Sequence, residues 1–190
     1  MMKNSLLTPD NVCLQIIDVQ ASLMAKVHAA DKVIATVELM IRCAKIFNIP
    51  ILANTQYVKG LGPYVANLEE LVSDIQLLDK VEFNATTNKA TEVFLDALPK
   101  AVTTIVLVGV ETHICIYQTA MGLLARGFKV WVVEDGISSR KMSDHQAGIN
   151  RLQSVGAIIG PVEMLIYELL GKAGTAEFKQ ILPLIIRRGE

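Results

Sequence analysis

Six short apolar runs set the tightest limit on what this chain can fold into. The run TTIVLVGV (103–110) is aliphatic but for its threonines and one glycine. A strand with one wet face alternates apolar and polar residues, whereas an unbroken apolar run belongs to a strand covered on both faces. Similar strands are expected at VCLQIID (12–18), PILAN (50–54), IQLLDK (75–80), KVWVVED (129–135) and GAIIG (156–160). Helical periodicity fills the intervals at 23–48, 63–73, 88–98, 113–126 and 143–155, and continues at 162–171 and 175–187. Such alternation predicts an α/β fold, a parallel sheet with helices on both faces. Ser143 followed by Gln146 has the pattern of a capping box, and Gly127 stands where a helix C-terminal glycine belongs. Neither a linker nor a repeat interrupts the pattern, so one domain is expected over 1–190.

Composition removes several classes of function. The formal net charge is −1, and no cluster of Lys and Arg is interleaved with aromatics, so neither nucleic acid nor anionic lipid is an expected partner. No apolar stretch reaches 18 residues, so no membrane span is expected. Three cysteines, Cys13, Cys43 and Cys115, have no metal-type spacing and suit a reducing compartment. The start MMKNSLLTPDN lacks an apolar signal core. A cytoplasmic location is therefore expected, with organellar import left open.

In parallel α/β sheets, ligands bind beyond the carboxyl ends of the strands. That rule selects residues before any motif does. Strand 12–18 ends on Asp18, with Gln20 close behind. Strand 50–54 leads to Gln56, Tyr57 and the irregular stretch QYVKGLGPYV (56–65), a candidate binding loop. Strand 75–80 ends on Lys80, with Phe83 beyond it. Strand 103–110 leads to Cys115 in GVETHICIYQTA. An acid, an amine and a thiol thus share one rim. A thiolate, not a thiol, is the nucleophile. The start of helix 113–126 and the Lys80 ammonium would favour that anion, and Asp18 could take the thiol proton and return it to a leaving group. Backbone N–H groups near Glu111 and Cys115 could hold an oxyanion. These parts suffice for acyl transfer. Each residue also has a structural alternative: Cys115 as a small core hydrophobe, Asp18 as a loop cap, Lys80 as a solvated strand end. Residue types alone leave both readings open. Cys13 and Cys43 read as core, and His28 and His113 as surface or loop residues.

The segments LQIIDVQ, LDKVEFNA, LVGVETHICIYQTA and VVEDGISSRKMSDHQAGINRLQSVGA together resemble the isochorismatase-like cysteine hydrolase superfamily. TQYVKGLGP and EMLIYELLGKAGTAEFKQI resemble its isochorismatase domain-containing subgroup. The resemblance implies a three-layer α/β/α fold whose six parallel strands follow a Rossmann-like order. It implies an Asp–Lys–Cys triad at Asp18, Lys80 and Cys115, and a cis peptide at Val110–Glu111 that would aim the amides of Glu111 and Cys115. The metal-binding branch of the superfamily carries an Asp-x-His pair and a further His after the second strand. Here that region reads NTQYVKGLGP, so no metal and no cofactor is expected. Glu111 is expected to point away from the oxyanion site. Ser138 to Arg140 and His145 match a family loop and helix, structural or at a subunit interface, with no catalytic role implied.

The expected function is metal-independent cleavage of an amide or carbamoyl C–N bond in a small molecule through a thioester. Gln20, Gln56, Tyr57 and Phe83 are expected to line the pocket. A non-enzymatic binding or scaffold protein on the same fold is the alternative, and a nuclease is the weakest reading. Self-association is also expected: the mean hydropathy is +0.40, and FKQILPLIIRR could pack on a neighbouring copy or cover its own sheet.

Overall fold

The computed structural model describes residues 6–189; residues 1–5 of the N-terminal stretch discussed above lie outside that range. Six strands form one sheet: β1 (Val12–Ile17), β2 (Ile51–Gln56), β3 (Leu77–Lys80), β4 (Thr104–Val110), β5 (Lys129–Ser138) and β6 (Ile158–Gly160). Their order is β3-β2-β1-β4-β5-β6, and every pair is parallel. Every residue of β1 and β4 is buried, as their continuous apolar character requires. Two apolar clusters fill the two sides. One joins Leu14, Ile16, Val106 and Val108 to Val37 and Ile41, and the other joins Cys13, Ile17, Ile105 and Leu107 to Ile116 and Leu123.

The helices are α1 (Ala21–Met24), α2 (Ala30–Phe47), α3 (Val58–Leu61), α4 (Ala66–Glu69) and α5 (Lys89–Asp96), followed by α6 (Tyr117–Ala125), α7 (Met142–Ser154), α8 (Val162–Leu170) and α9 (Ala176–Gly189). Several depart from the periodicity. The expected helix 23–48 is broken, because Ala29 takes a left-handed conformation and the His28 N–H bonds Ser139 across the fold. The expected helix 63–73 is only the single turn α4. No capping box forms at Ser143. The helix starts one residue earlier, Lys141 is its N-cap without a side-chain bond, and the Ser143 hydroxyl goes to Asp144. Gly127 does follow α6 with φ of 87°. Helix α9 packs its apolar face on its own chain: Ile181 and Ile185 are buried in the cluster that contains α2 residues, so that face is not free for a neighbour.

Two close approaches fix the rim. At Gly109 (φ 117°) an added Cβ would lie 2.0 Å from the Ile17 carbonyl oxygen, so β1 and β4 can meet there only at glycine. At Gly148, α7 packs on the turn after β4, and a Cβ would lie 2.9 Å from Thr112 Cγ2 and 3.0 Å from the His113 nitrogen. We expect Gly148→Ala to cost about 1–3 kcal/mol, read as a lower urea midpoint with unchanged slope. A midpoint equal to that of the parent protein would show that the turn yields freely.

Candidate active site

The strand order places a topological switch between β1 and β4. The chain builds outward from β1 to β3 and then returns to β4 on the other side of β1. A crevice opens at such a switch, beyond the strand ends. Asp18 follows β1 there with φ of 56°, a conformation that aspartate tolerates better than most residues. Its amide bonds the Asn54 carbonyl at 3.1 Å, tying the β1 end to β2.

Lys80 ends β3, two strands away from β1, or roughly 10 Å across the sheet. Its long side chain crosses over β2. The Nζ donates to Asp18 Oδ2 at 2.7 Å and to Gln56 Oε1 at 2.6 Å. Asp18 is 0% and Lys80 2% exposed. This is a buried ion pair whose desolvation is opposed in part by mutual attraction and by the Gln56 carbonyl.

Cys115 lies in a π-helical turn (Thr112–Ile116) that precedes α6, not in the first turn of an α-helix. It is 7% exposed. Burial pushes its thiol up to about 12, with the Asp18 charge acting in the same direction and Lys80 opposing it. Burial thus works against the thiolate that helix position and Lys80 favour. Asp18 is itself raised above its ordinary value by burial, with Lys80 and the Cys115 thiol pulling it back. Among the described residues no oxygen or nitrogen donor bonds its buried Oδ1, which leaves the Cys115 thiol as the proton donor this carboxyl faces.

The remaining candidates divide. The Val110–Glu111 peptide is cis. The Glu111 carboxylate accepts from the Arg140 amide at 2.9 Å and Nε at 3.1 Å, although its charge still acts on Cys115, raising the thiol. Gln20 is fully buried, and its side chain is consumed by the backbone of Gln56 and Gly62. It braces the loop after β2 and has no polar atom left for a ligand, contrary to its expected place in the pocket. Gln56 instead holds Lys80. Tyr57 and Phe83 are half-exposed, at 52% and 53%, and an added Cβ on Gly60 would strike the Tyr57 ring, which lies against that glycine. Tyr64 was not foreseen: it is buried, and its hydroxyl donates to the Asn54 carbonyl at 2.8 Å beneath Asp18. Its place in a Gly- and Pro-rich loop hid it. Surface cavities of about 270 and 480 Å³ share Arg42, Leu184 and Arg187 and include no residue of the rim, so they do not mark the chemistry. Among the described residues, no group of three His, Cys, Asp or Glu side chains is placed to hold a metal ion. No helix there is long and apolar enough to cross a membrane.

The chain is thus an α/β protein with an acid, an amine and a thiol gathered near the switch point of a six-stranded parallel sheet. It belongs to the isochorismatase family. The family model for the isochorismatase domain matches residues 12–164, and members of this family are generally hydrolases. Isochorismatase domain-containing protein 1 of Salmo salar is 35% identical over 88% of this chain, which spans 58% of that protein's length. The secreted isochorismatase effector Isc1 of Phytophthora sojae is 33% identical over 94% of the chain and 86% of its own length. The structure of the MAR1 ribonuclease of Caenorhabditis elegans superposes with a TM-score of 0.88 at 33% identity, covering 96% of this chain and 93% of that one.

Proposed function

We propose that the chain hydrolyses an amide or carbamoyl C–N bond of a small molecule through a thioester on Cys115. The observation that carries this reading is a buried Asp18 carboxyl set between the Lys80 ammonium, 2.7 Å from Oδ2, and the Cys115 thiol, with Lys80 opposing the effect of burial on its charge. Asp18 takes the Cys115 proton as sulfur attacks the carbonyl carbon. The amides of Glu111 and Cys115 receive the oxyanion. Asp18 returns the proton to the departing nitrogen as the C–N bond breaks. Water then attacks the thioester with Asp18 again as base, releasing the acid and restoring the thiol. As the proton moves to Asp18 and sulfur bonds carbon, the negative charge passes from the carboxylate to the oxyanion held by the two amides, so the site's net charge does not change. That economy suits a buried site, where an isolated anion is costly. No step needs a metal or a cofactor.

Gln56, Tyr57 and Phe83 shape the substrate side of the site, Gln56 through Lys80. Exposed Tyr57, Val81 and Phe83 leave an apolar rim that suits a second copy, so we place self-association there rather than on α9. Three unpaired cysteines favour a reducing compartment such as the cytoplasm. A ribonuclease reading, raised by the name of the Caenorhabditis elegans protein, would require an acid–base pair accessible to a polynucleotide. Burial of Asp18 and Lys80 opposes it.

The test is the pH profile of alkylation by iodoacetamide, with peptide mapping. Cys13 and Cys43 are pushed up to about 12 by burial alone, so their labelling should climb about tenfold per pH unit through neutrality. Cys115 has its own base, so its rate should rise as Asp18 ionises and then stay level to about pH 8. Asp18→Asn should convert that level profile into the steep one. Three parallel, steep profiles in the parent protein would defeat the mechanism and favour a binding protein with a silent site.

A further inference from the structure

The turn that carries Cys115 is a π turn, closed by the Ile116 amide on the Glu111 carbonyl at 3.2 Å. Such turns are rare in isolation and depend on their surroundings. Here the support comes from outside the turn, and from one place. Opposite β4, strand β5 slips its register: Leu107 pairs with Val132 but Gly109 pairs with Ile137, and Val110 with Ser138. Three more residues have passed along β5 than along β4 between those pairs. The slip carries β5 past the seven-residue length expected of it and delivers Ser139 and Arg140 alongside the start of the nucleophile turn.

Three consecutive residues are gripped there. Glu111 is held by Arg140 through its backbone amide and its guanidinium. Thr112 Oγ1 lies 2.9 Å from His145 Nδ1, and His113 Nδ1 lies 2.9 Å from Ser139 Oγ. Thr112 and Ser139 are completely buried. Gly148, one helical turn after His145, brings the α7 backbone against Thr112 and His113. Ser139 is anchored in turn, since its carbonyl accepts the His28 amide at 2.9 Å. The sequence contains three histidines, and each of them bonds this junction, His28 through its backbone.

We propose that the segment from Ser139 to Gly148 is a splint for the nucleophile turn, in which Ser139, Arg140 and His145 are positioning residues and His145 is the principal one. Among the described residues its imidazole is the one hydrogen-bond partner of the Thr112 hydroxyl, and Thr112 is the first residue of the π turn. Burial lowers the pKa of His145, which favours the neutral ring as the partner of Thr112. Glu111, by contrast, is doubly held, once by a backbone amide that no side-chain substitution removes. The splint fixes where the Cys115 sulfur lies relative to Asp18 Oδ1, and small displacements of that kind are costly in rate. The consequence for the reaction rests on the nucleophilic role proposed for Cys115, but the mechanical claim does not.

The experiment compares His145→Ala, His145→Asn and the parent protein by two readouts. Asparagine can put an amide nitrogen near the place of Nδ1. The first readout is amide hydrogen exchange of the peptide covering 111–117. The second is the rate of Cys115 alkylation by iodoacetamide at pH 7. His145→Ala should speed exchange and slow alkylation about tenfold, and His145→Asn should restore both to within about threefold. Parent-like values in His145→Ala overturn the splint, as do equal losses in both variants, which would mark a merely structural site. Should His145→Ala fail to fold, Ser139→Ala, which removes the partner of His113, is read by the same two measurements and must shift both. If Cys115 of the parent protein proves unreactive, the proposed hydrolysis fails, while exchange at 111–117 still decides the splint.

Discussion

Cys115→Ser should lower hydrolysis of any small amide the parent protein turns over by about three orders of magnitude or more, with stability nearly unchanged. A serine hydroxyl fits where the thiol sits and can donate to the open Asp18 Oδ1, so the fold loses little. The chemistry loses much more. The alkoxide is a far stronger base than the thiolate, and Asp18, even raised by burial, cannot take a hydroxyl proton to a useful extent. The site has no histidine to help: the side chains of His113 and His145 are bonded to Ser139 and Thr112. The expected signature is a collapse of kcat with the substrate still bound, because the residues that shape the rim remain. Initial rates and binding of the same amide, measured on one preparation of folded protein, check both halves. Normal turnover in Cys115→Ser would end the covalent mechanism, and a hydrolytic water would have to replace sulfur.

Part of this site is legible in the sequence and part is not. Asp18, Lys80 and Cys115 are legible because strand ends are legible: continuous apolar runs mark β1 and β4, and the switch-point rule says which ends matter. The contact of Lys80 with Asp18 over β2 is not, since it depends on strand order and on side-chain reach. Nor is the protonation state of Cys115. Helix position and Lys80 argue for a thiolate, but burial opposes it, and Cys115 is buried in a cluster whose members, from Cys13 to Ala157, are far apart in the chain. Gln20 and Gln56 look equivalent in sequence, each close behind a strand. Packing gives one to the backbone and the other to Lys80. The break at Ala29 likewise comes from a contact with Ser139, more than a hundred residues away, that overrides helical periodicity. Ser143 satisfies a local pattern, yet α7 begins one residue before it.

The second large effect concerns stability and follows from the burial of the Asp18–Lys80 pair. Lys80→Met keeps an apolar stem of similar length and removes the cation. It leaves a carboxylate at 0% exposure with one oxygen already unpartnered and deprives Gln56 Oε1 of its donor. Breaking such a pair on one side typically costs about 3–5 kcal/mol. The loss should depend on pH in a definite sense. Burial already raises the Asp18 pKa, and the charge and hydrogen bond of Lys80 are what hold it down. Without Lys80 the folded value rises further. A carboxyl whose folded pKa lies above its unfolded one holds its proton more tightly when folded. Stability is therefore greatest below the unfolded pKa and is lost as pH climbs through the folded one. Lys80→Met should then fall furthest below the parent protein near pH 8 and recover towards pH 5, as Asp18 neutralises. Asp18→Asn combined with Lys80→Met removes both charges and should return to within about 2 kcal/mol of the parent. It should show little pH dependence from this site and no turnover. Urea midpoints of the three proteins at pH 5, 6.5 and 8 make the comparison. A Lys80→Met protein as stable as the parent at every pH would mean that water reaches Asp18. The charge-conserving proton transfer proposed for Cys115 would then lose its physical basis, because a hydrated site has no need to keep its net charge constant.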